Sequence, residues 1–256
     1  MSRPTNETVA GRAYLGLRKK ARAAGRPMAE YLRLYALEGF LLRLSQSEHR
    51  ERFVLKGGVL LAAHDLRRPT TDIDVAALRM ANEASEIQRV VVEVASTPLP
   101  DDLNDGLVFD LADVTAEVIH DEDEYSGVRV RLVALLATAR ETFHVDVNIG
   151  DPVWPEPAEI RLPRLLDDAP IEMLGYTLEL SIAEKIVTAI QRGVASTRWR
   201  DFGDVYMVSR RHTFKAGAVP ESFAETLAAV LVFVDPILGG DAAPTTAWSP
   251  GTRSWS

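Results

Sequence analysis

The chain of 256 residues contains no cysteine. Disulfide scaffolds, zinc sites built on thiolates and catalytic cysteine nucleophiles are therefore excluded, and the composition is compatible with a reducing compartment. No apolar run approaches the roughly 18 residues that a membrane helix needs, and the first residues lack the apolar stretch of a secretory signal. We therefore expect a cytoplasmic protein with no membrane partner.

Several catalytic signatures are missing as well. The sequence contains no G-x-S-x-G nucleophile elbow, no H-E-x-x-H, no P-loop and no G-x-G-x-x-G dinucleotide turn. Its five histidines are scattered without the spacing of metal ligands. Among them, His144 either flanks the candidate site described below or is a surface histidine on a strand. These constellations therefore do not carry the function.

Charge is distributed unevenly along the chain. The net charge of −8 argues at face value against a nucleic-acid partner. Residues 1–70, however, carry 14 Lys and Arg against 6 Asp and Glu, whereas residues 71–180 carry 7 against 24. A basic N-terminal part and an acidic middle are different surfaces. The acidic total therefore does not exclude RNA, and it predicts that RNA contacts only part of the surface.

Hydrophobic periodicity predicts helices at both ends of the chain and strands in the middle. Helical spacing is found in the basic segment before Gly25 and at 28–44, 81–95, 181–193, 199–211 and 220–234. Strand-like alternation is found at 70–78, 114–120, 128–137 and 142–149. Residues 151–170 hold five prolines and are predicted to form a crossing loop or linker outside the core. We expect a core domain at 1–150, a linker and helical part at 151–238, and a disordered tail at 239–256.

Asp72 and Asp74 form the most informative pair in the sequence. In a strand, both carboxylates project from one face while Ile73 and Val75 point into the core. Two like charges held that close cost free energy unless a cation compensates them, and Mg²⁺ binds one or two carboxylates together with substrate phosphates. A D-x-D also occurs by chance in acidic chains, so the pair alone does not establish a metal site.

Two other segments add to this pair. The Lys-Gly-Gly turn at 56–58 lies between an apolar run and a helical segment, where glycines let the backbone approach a phosphate. Asp146 lies on the polar face of a predicted strand, and a neighbouring strand would bring it to Asp72 and Asp74 as a third carboxylate. That cradle suits in-line phosphoryl or nucleotidyl transfer. Alternatively, Asp146 is a strand-edge residue that faces solvent.

The segment FVLKGGVLLAAHDLRRPTTDIDV resembles the first motif of the nucleotidyltransferase superfamily, in the form found in AbiEii-type toxins. These include the MenT-like toxins of mycobacterial type IV toxin–antitoxin pairs. The segment AEKIVTAIQRGVASTRWRDFGDV resembles the family's lysine-bearing helix and the Arg-Asp segment after it, and YALEGFLLRL is similar to its N-terminal helix. The matching positions are Lys56, Gly57, Gly58, Arg68, Thr71 (or Thr70), Asp72, Asp74, Lys185, Arg200, Asp201, Phe202 and Asp204.

The resemblance implies an α/β (α+β) nucleotidyltransferase fold of the DNA polymerase beta type, in which helices flank a mixed sheet. Three carboxylates would hold Mg²⁺, or Mn²⁺ in its place: Asp72, Asp74 and Asp146. The nucleotide would contact Lys56, Gly57, Gly58 and Thr71. Lys185 would neutralise charge that develops on the triphosphate, and Asp201, with Asp204 as second choice, would position Lys185 or orient or deprotonate the acceptor. The residues alone favour the alternative that Lys185 is a surface lysine paired with Glu184 or Asp201.

The function implied by the resemblance is Mg²⁺-dependent transfer of a nucleoside monophosphate, pyrimidine favoured, from an NTP to the 3′ end of tRNA. The product blocks translation and growth, and a cognate antitoxin neutralises the toxin. Candidate RNA contacts are Arg18, Lys19, Lys20, Arg22, Arg26, Arg192, Arg198, Arg200, Arg210 and Arg211, although the cluster at 18–26 is alternatively a solvated helix face. Two other functions stay open: modification of a protein hydroxyl by an enzyme of the same fold, and a non-catalytic binding module.

Overall fold

The computed structural model describes residues 3–120, 126–150, 153, 156–192, 199–211, 248–249 and 254–255. The chain divides into two compact units, residues 1–176 and 177–256. The boundary expected after residue 150 falls inside the first unit, because two further strands belong to its sheet. No helix within the described ranges is long and apolar enough to cross a membrane.

In the described residues of the first unit there are four helices: α1 (Val9–Ala23), α2 (Met28–Gln46), the single turn α3 (Gly57–Leu60) and α4 (Ala84–Ser96). Short 3-10 turns lie at Arg50–Arg52, Leu61–His64 and Asp101–Leu103. The helical spacing at 28–44 and 81–95 is thus confirmed. The helical segment expected after the Lys-Gly-Gly turn is instead one α-helical turn that continues as a 3-10 turn.

Seven strands form one mixed sheet: β1 (Phe53–Lys56), β2 (Asp72–Ala77), β3 (Val108–His120), β4 (Ser126–Leu136), β5 (Ala139–Ile149), β6 (Ala158–Leu162) and β7 (Ile171–Gly175). Their order is β3-β4-β5-β2-β1-β7-β6. The pairs β2–β5 and β1–β7 are parallel, and the others are antiparallel. This sheet confirms the predicted mixed α/β class.

The central strands have one apolar and one polar face. The apolar side chains of β4 and β5 are almost completely buried: Val128, Val130, Leu132, Phe143, Val145 and Val147. Because successive side chains of a strand point to opposite faces, the residues between them share the other face. That second face carries the polar side chains from which the candidate site is built.

Helix α2 is buried along most of its length and packs on the apolar face of the sheet. Phe40 contacts Phe109 and Phe143 edge to face, with ring centroids 6.3 and 6.2 Å apart. Arg43 and Asp105 are both buried and pair at 2.7 Å, because a charge removed from water requires a partner. These contacts fix α2 against the sheet that carries the site.

The expectation for residues 151–170 is wrong, because they contain strand β6. Ile160 and Leu162 of this strand are buried in the core of the first unit, and β6 pairs antiparallel with β7. Pro157 and Pro163 lie just outside the strand, so that no proline interrupts its ladder of hydrogen bonds. Prolines at strand boundaries and prolines in a linker give the same local composition, which is why the pattern was misleading.

The described residues of the second unit form α5 (Leu178–Arg192), α6 (Trp199–Arg211) and the short strands β8 (Trp248–Ser249) and β9 (Ser254–Trp255). The helix at 199–211 is confirmed, but α5 begins three residues before the predicted start at Ser181. The hydroxyl of Thr177 accepts a hydrogen bond from the backbone N–H of Leu180 at 3.2 Å, as an N-terminal cap does. Ser181 is buried inside the helix, so it is not the residue that caps it.

Two predictions concern the end of the chain. The helix expected at 220–234 lies outside the described residues. In the segment expected to be a disordered tail, β8 pairs antiparallel with β9, and Trp248 lies opposite Trp255. Disorder is therefore the wrong description of those four residues, and the rest of the predicted tail lies outside the described part of the chain.

Candidate active site

A row of charged residues crosses four neighbouring strands on the polar face of the sheet. Lys56 of β1 lies opposite Asp74 of β2, Asp74 lies opposite Asp146 of β5, and Asp146 lies opposite Arg129 of β4. Residues opposed in neighbouring strands project from the same face. Strands lie about 4.8 Å apart, so the row spans on the order of 15 Å. The structure thus brings Asp146 next to Asp74, as predicted.

The two aspartates of β2 share this face, while the alternate residues are in the core. Asp72 and Asp74 are partly exposed, whereas Ile73 is 0% and Val75 1% exposed. The hydroxyl of Thr70 donates a hydrogen bond to Oδ1 of Asp72 at 3.0 Å. The threonine that contacts Asp72 is therefore Thr70, the alternative to Thr71 in the motif, and Thr71 is exposed.

Gly57 lies directly against Asp74. Its φ of +68° is in the left-handed region, and a Cβ atom on it would lie 2.0 Å from Oδ2 of Asp74. Gly58 is close to two other side chains, since its Cβ would lie 3.0 Å from Nη2 of Arg68 and 3.1 Å from Oγ1 of Thr70. Glycine is required at 57 both by the backbone conformation and by the carboxylate. The turn therefore holds Asp74 in addition to the phosphate contact expected from the sequence.

Lys56 is buried, with 6% of its surface exposed. Its Nζ lies 5.6 Å from the centroid of the Tyr176 ring, within the range of a cation–π contact. Tyr176 follows β7, and its backbone N–H donates to the carbonyl of Leu55 at 2.9 Å. No sequence motif indicated Tyr176, because the parallel pairing of β1 with β7 brings it to the site.

Arg129 is the second residue that sequence reasoning missed. Its Nε and Nη2 donate to Oδ1 and Oδ2 of Asp146 at 2.8 and 2.7 Å, which is a bidentate pair. The hydrogen bonds with Asp146 and the charges of Asp146 and Asp72 raise the pKa of Arg129, against the opposing effect of burial. The signal in the sequence was the alternation of Arg129 and Arg131 with Val128, Val130 and Leu132.

The carboxylates fit a divalent cation that the protein and its substrate hold together. Among the described residues, no group of three or more Asp, Glu or His is arranged to hold a metal ion. Asp72 and Asp74 nevertheless offer two partly exposed carboxylates two positions apart on one face. Mg²⁺ is commonly bound by one or two carboxylates together with substrate phosphates. The donor set therefore suits Mg²⁺ that arrives with a phosphate ligand.

In the second unit, a charged cluster lies between α5 and α6. Nζ of Lys185 on α5 lies 2.8 Å from Oδ1 of Asp201 and 2.9 Å from Oδ2 of Asp204 on α6. Burial by itself lowers the pKa of Lys185, but the charges of Asp201 and Asp204 outweigh it and raise that pKa. The sequence left open that Lys185 is a surface lysine paired with Asp201. The pairing is present, but the side chain of Lys185 is only 10% exposed, so it is not a surface lysine.

The candidate RNA-binding side chains fall into three groups. On α1, Arg18, Lys19, Lys20 and Arg22 are exposed, whereas Arg26 pairs with Glu30 at 2.8 Å. In the second unit, Arg211 is exposed, and Arg192, Arg200 and Arg210 lie on α5 and α6. Arg198 lies outside the described residues. The described part of the chain thus presents one exposed basic cluster, on α1.

A cleft of about 400 Å³, partly open to solvent, lies behind the Gly57–Gly58 turn. It is lined by apolar residues of α2 and α3 and by four polar side chains: Glu38, Arg67, Arg68 and Thr70. Oε2 of Glu38 accepts a hydrogen bond from the backbone N–H of Leu165 at 2.7 Å, which joins α2 to the segment after β6. Burial raises the pKa of Glu38 to about 7.

Comparison with protein families gives a match over most of the chain. The model that describes the nucleotidyl transferase AbiEii toxin of type IV toxin–antitoxin systems matches residues 39–243. The chain belongs to the AbiEii family of nucleotidyltransferase toxins. The AbiEii match includes the glycine turn, Asp72, Asp74 and Lys185, and it confirms the resemblance drawn from the sequence motifs.

The fold of this AbiEii protein is also similar to solved structures. JHP933 from Helicobacter pylori shares 17% identity with a TM-score of 0.49, over 77% of this chain and 70% of that one. An antigenic nucleotidyltransferase-like protein from Paracoccidioides brasiliensis shares 14% identity with a TM-score of 0.48, over 81% and 91% of the two chains. A comparison with curated protein sequences gives no significant match.

Proposed function

We propose that this AbiEii-family protein transfers a nucleoside monophosphate from an NTP to the 3′ end of tRNA. The acceptor hydroxyl oxygen forms a bond to the α-phosphorus, the bond from that phosphorus to the bridging oxygen breaks, and pyrophosphate leaves. The hydroxyl proton goes to a carboxylate base; the resemblance offers Asp201 for this role, or for orienting the acceptor or positioning Lys185. Bound Mg²⁺ would supply charge neutralisation at the phosphates.

The observation that carries the proposal is the arrangement of Asp72, Asp74 and Gly57. The aspartates project side by side from the polar face of a parallel strand pair, and Gly57 brings the backbone into contact with Asp74. A glycine turn packed on a carboxylate pair gives a phosphate chain and its cation a common place to bind. Asp72 and Asp74 would hold the Mg²⁺, or Mn²⁺ in its place.

Several finer roles stay predictions from the resemblance. Lys185 would neutralise charge that develops on the triphosphate, and the two neighbouring aspartates keep it charged against the effect of burial. Lys56 and Gly58 would contact the nucleotide together with the threonine at 70 or 71. Asp146 would be a third metal ligand, although both of its oxygens are already bound by Arg129. The preference for a pyrimidine base also rests on the resemblance to MenT-like toxins.

The RNA and protein partners follow from charge and from the family. The exposed basic side chains of α1 suit a phosphate backbone, and an acidic chain that binds RNA needs such a localised patch. Type IV toxins are paired with an antitoxin, so we infer that a cognate antitoxin neutralises this protein. Its growth inhibition would follow from tRNA that no longer accepts an amino acid.

The deciding experiment offers the protein each labelled NTP in turn, with Mg²⁺ and total tRNA. We expect label in tRNA from the wild-type chain and from Asp102→Asn, which changes an exposed aspartate of the 3-10 turn at Asp101–Leu103. Asp72→Asn keeps the shape of the side chain but removes its charge, and it should lose transfer. Equal labelling by Asp72→Asn and the wild type would refute the mechanism.

The same experiment separates the alternative functions. Label that enters polypeptide and not tRNA would identify an enzyme that modifies a protein hydroxyl. A wild-type chain that binds no Mg–NTP by calorimetry would be a non-catalytic binding module. Both alternatives have the same fold, so only the acceptor and the nucleotide distinguish them.

A further inference from the structure

Two different cations are candidates to bind the carboxylate of Asp146: a metal ion and the guanidinium of Arg129. The resemblance makes it a metal ligand, but Arg129 donates Nε and Nη2 to its two oxygens at 2.8 and 2.7 Å. The carboxylate is buried, with 11% of its side chain exposed. Release from Arg129 would leave it buried without a counter-ion unless a metal took its place. The salt bridge with Arg129 therefore determines whether Asp146 is available as a metal ligand.

The salt bridge between Arg129 and Asp146 leaves part of the guanidinium available to a ligand. A guanidinium carries five N–H donors, and within the described part of the chain only Nε and Nη2 donate hydrogen bonds. The side chain is 36% exposed, on the same face as Asp72 and Asp74. Nη1 is thus directed by the pair with Asp146 and free to donate to an anion on that face.

The charge around Arg129 indicates which ligand it suits. Glu117 of β3 lies opposite Arg129 on one side and Asp146 on the other, and the charge of Asp72 also acts on it. Surrounded by carboxylates, Arg129 stays charged at every pH of interest. Two partly exposed aspartates would repel a phosphate chain, and a fixed guanidinium next to them offsets that repulsion.

We propose that Arg129 binds a phosphate group of the substrate, and that Asp146 is the residue that positions Arg129. Asp72 and Asp74 alone then provide carboxylates to the metal ion. The inference rests on the proposed function and assigns an additional residue to that site. The phosphate belongs either to the triphosphate of the nucleotide or to the 3′-terminal phosphodiester of the acceptor.

Two binding measurements test the role of Arg129. Calorimetry with tripolyphosphate in excess Mg²⁺ reports the nucleotide phosphates, and tRNA binding without nucleotide reports the acceptor. A charge-assisted hydrogen bond corresponds to a loss of about 10- to 100-fold in affinity. We expect that loss for Arg129→Gln in one of the two, a smaller loss for Arg129→Lys, and none for Arg140→Gln, which removes an exposed charge at the other end of β5.

Asp146→Asn tests the positioning role. It should weaken the same ligand as Arg129→Gln, and it should add nothing further in the Arg129→Gln background, since Asp146 acts through the arginine. The number of Mn²⁺ ions per bound tripolyphosphate at saturation, counted by electron paramagnetic resonance, should be unchanged in Asp146→Asn. Thermal unfolding above the assay temperature for every variant ensures that a loss of affinity does not reflect unfolding.

Three results would overturn the inference. Unchanged affinity of Arg129→Gln for both ligands would show that the guanidinium binds no phosphate. Fewer Mn²⁺ ions per bound tripolyphosphate in Asp146→Asn would make Asp146 a metal ligand, and an additional Mn²⁺ ion in Arg129→Gln would make the arginine a competitor of the metal. A wild-type chain that binds neither tripolyphosphate nor NTP would instead show that the proposed function itself is wrong.

Discussion

Gly57 offers a sharp test of how the backbone and the carboxylates of the site depend on each other. In Gly57→Ala, the new Cβ would lie 2.0 Å from Oδ2 of Asp74, where real Cβ contacts essentially never fall below 3.0 Å. The carboxylate must therefore move by at least about 1 Å. A misplacement of that size at a reacting centre costs about 100-fold in rate. We expect nucleotidyl transfer to fall by about this factor.

The chain provides a matched control in Gly25→Ala. Gly25 has a φ of +64°, close to the +68° of Gly57, but nothing lies within 4 Å of the position that its new methyl group would take. Both substitutions force alanine into the left-handed region, which costs about 1–2 kcal/mol. Urea unfolding should show that loss in both variants. Only Gly57→Ala should also lose activity, because only its methyl group displaces Asp74.

The comparison separates backbone strain from the clash with the carboxylate. If Gly57→Ala transferred nucleotide at the rate of Gly25→Ala, the contact with Asp74 would have no part in the reaction. If Gly57→Ala showed no loss of stability while Gly25→Ala did, the left-handed conformation at residue 57 would be wrong. A crystal structure of Gly57→Ala should show the Asp74 carboxylate displaced by about 1 Å or more.

Two further predictions concern buried charges of α2. The pKa of Glu38 is raised from 4.5 to about 7 in the folded protein, mainly by burial; the unfolded chain therefore binds fewer protons between these pH values, and the free energy of unfolding falls as the pH rises through them. Glu38→Gln removes this titration. Between pH 4.5 and pH 7, the free energy of unfolding of the variant, measured in urea, should therefore rise relative to that of the wild type by on the order of 3 kcal/mol. A difference that does not change with pH would contradict the prediction. Asp105→Ala leaves Arg43 buried without its carboxylate and should cost about 3–5 kcal/mol. The double variant Arg43→Met, Asp105→Leu should lose less, and an equal or larger loss would show that the charge is not the cause.

The sequence predicted the part of the site that local geometry determines. Asp72 and Asp74 share a face because alternate side chains of a strand do so in any fold. The glycines at 57 and 58 were recognisable because few other contexts require two glycines between an apolar run and a helical segment. Asp146 was placed on the polar face of its strand by the same alternation.

The sequence patterns did not predict which strands are neighbours in the sheet. The prolines around residues 151–170 predicted a linker, but β6 joins the sheet through β7, which itself pairs with β1. Tyr176 reaches Lys56 only through that parallel pairing. Alternation reports which face a residue occupies, whereas the order of strands depends on contacts between distant segments.

The salt bridges of Asp146 and Lys185 show the same difference between what the sequence and what the tertiary structure determine. Strand alternation indicated Asp146 and the motif resemblance indicated Lys185, and their periodic positions gave each a face of a strand or helix. Which cation or carboxylate faces them was decided by tertiary structure: Arg129 binds both oxygens of Asp146, and Lys185 is buried between Asp201 and Asp204. The sequence alone thus determined which residue types are present and on which faces they lie, because those follow from local backbone geometry. Tertiary structure decided their pairing, since a salt bridge requires two segments, 17 residues apart for Arg129 and Asp146, to be brought within about 3 Å.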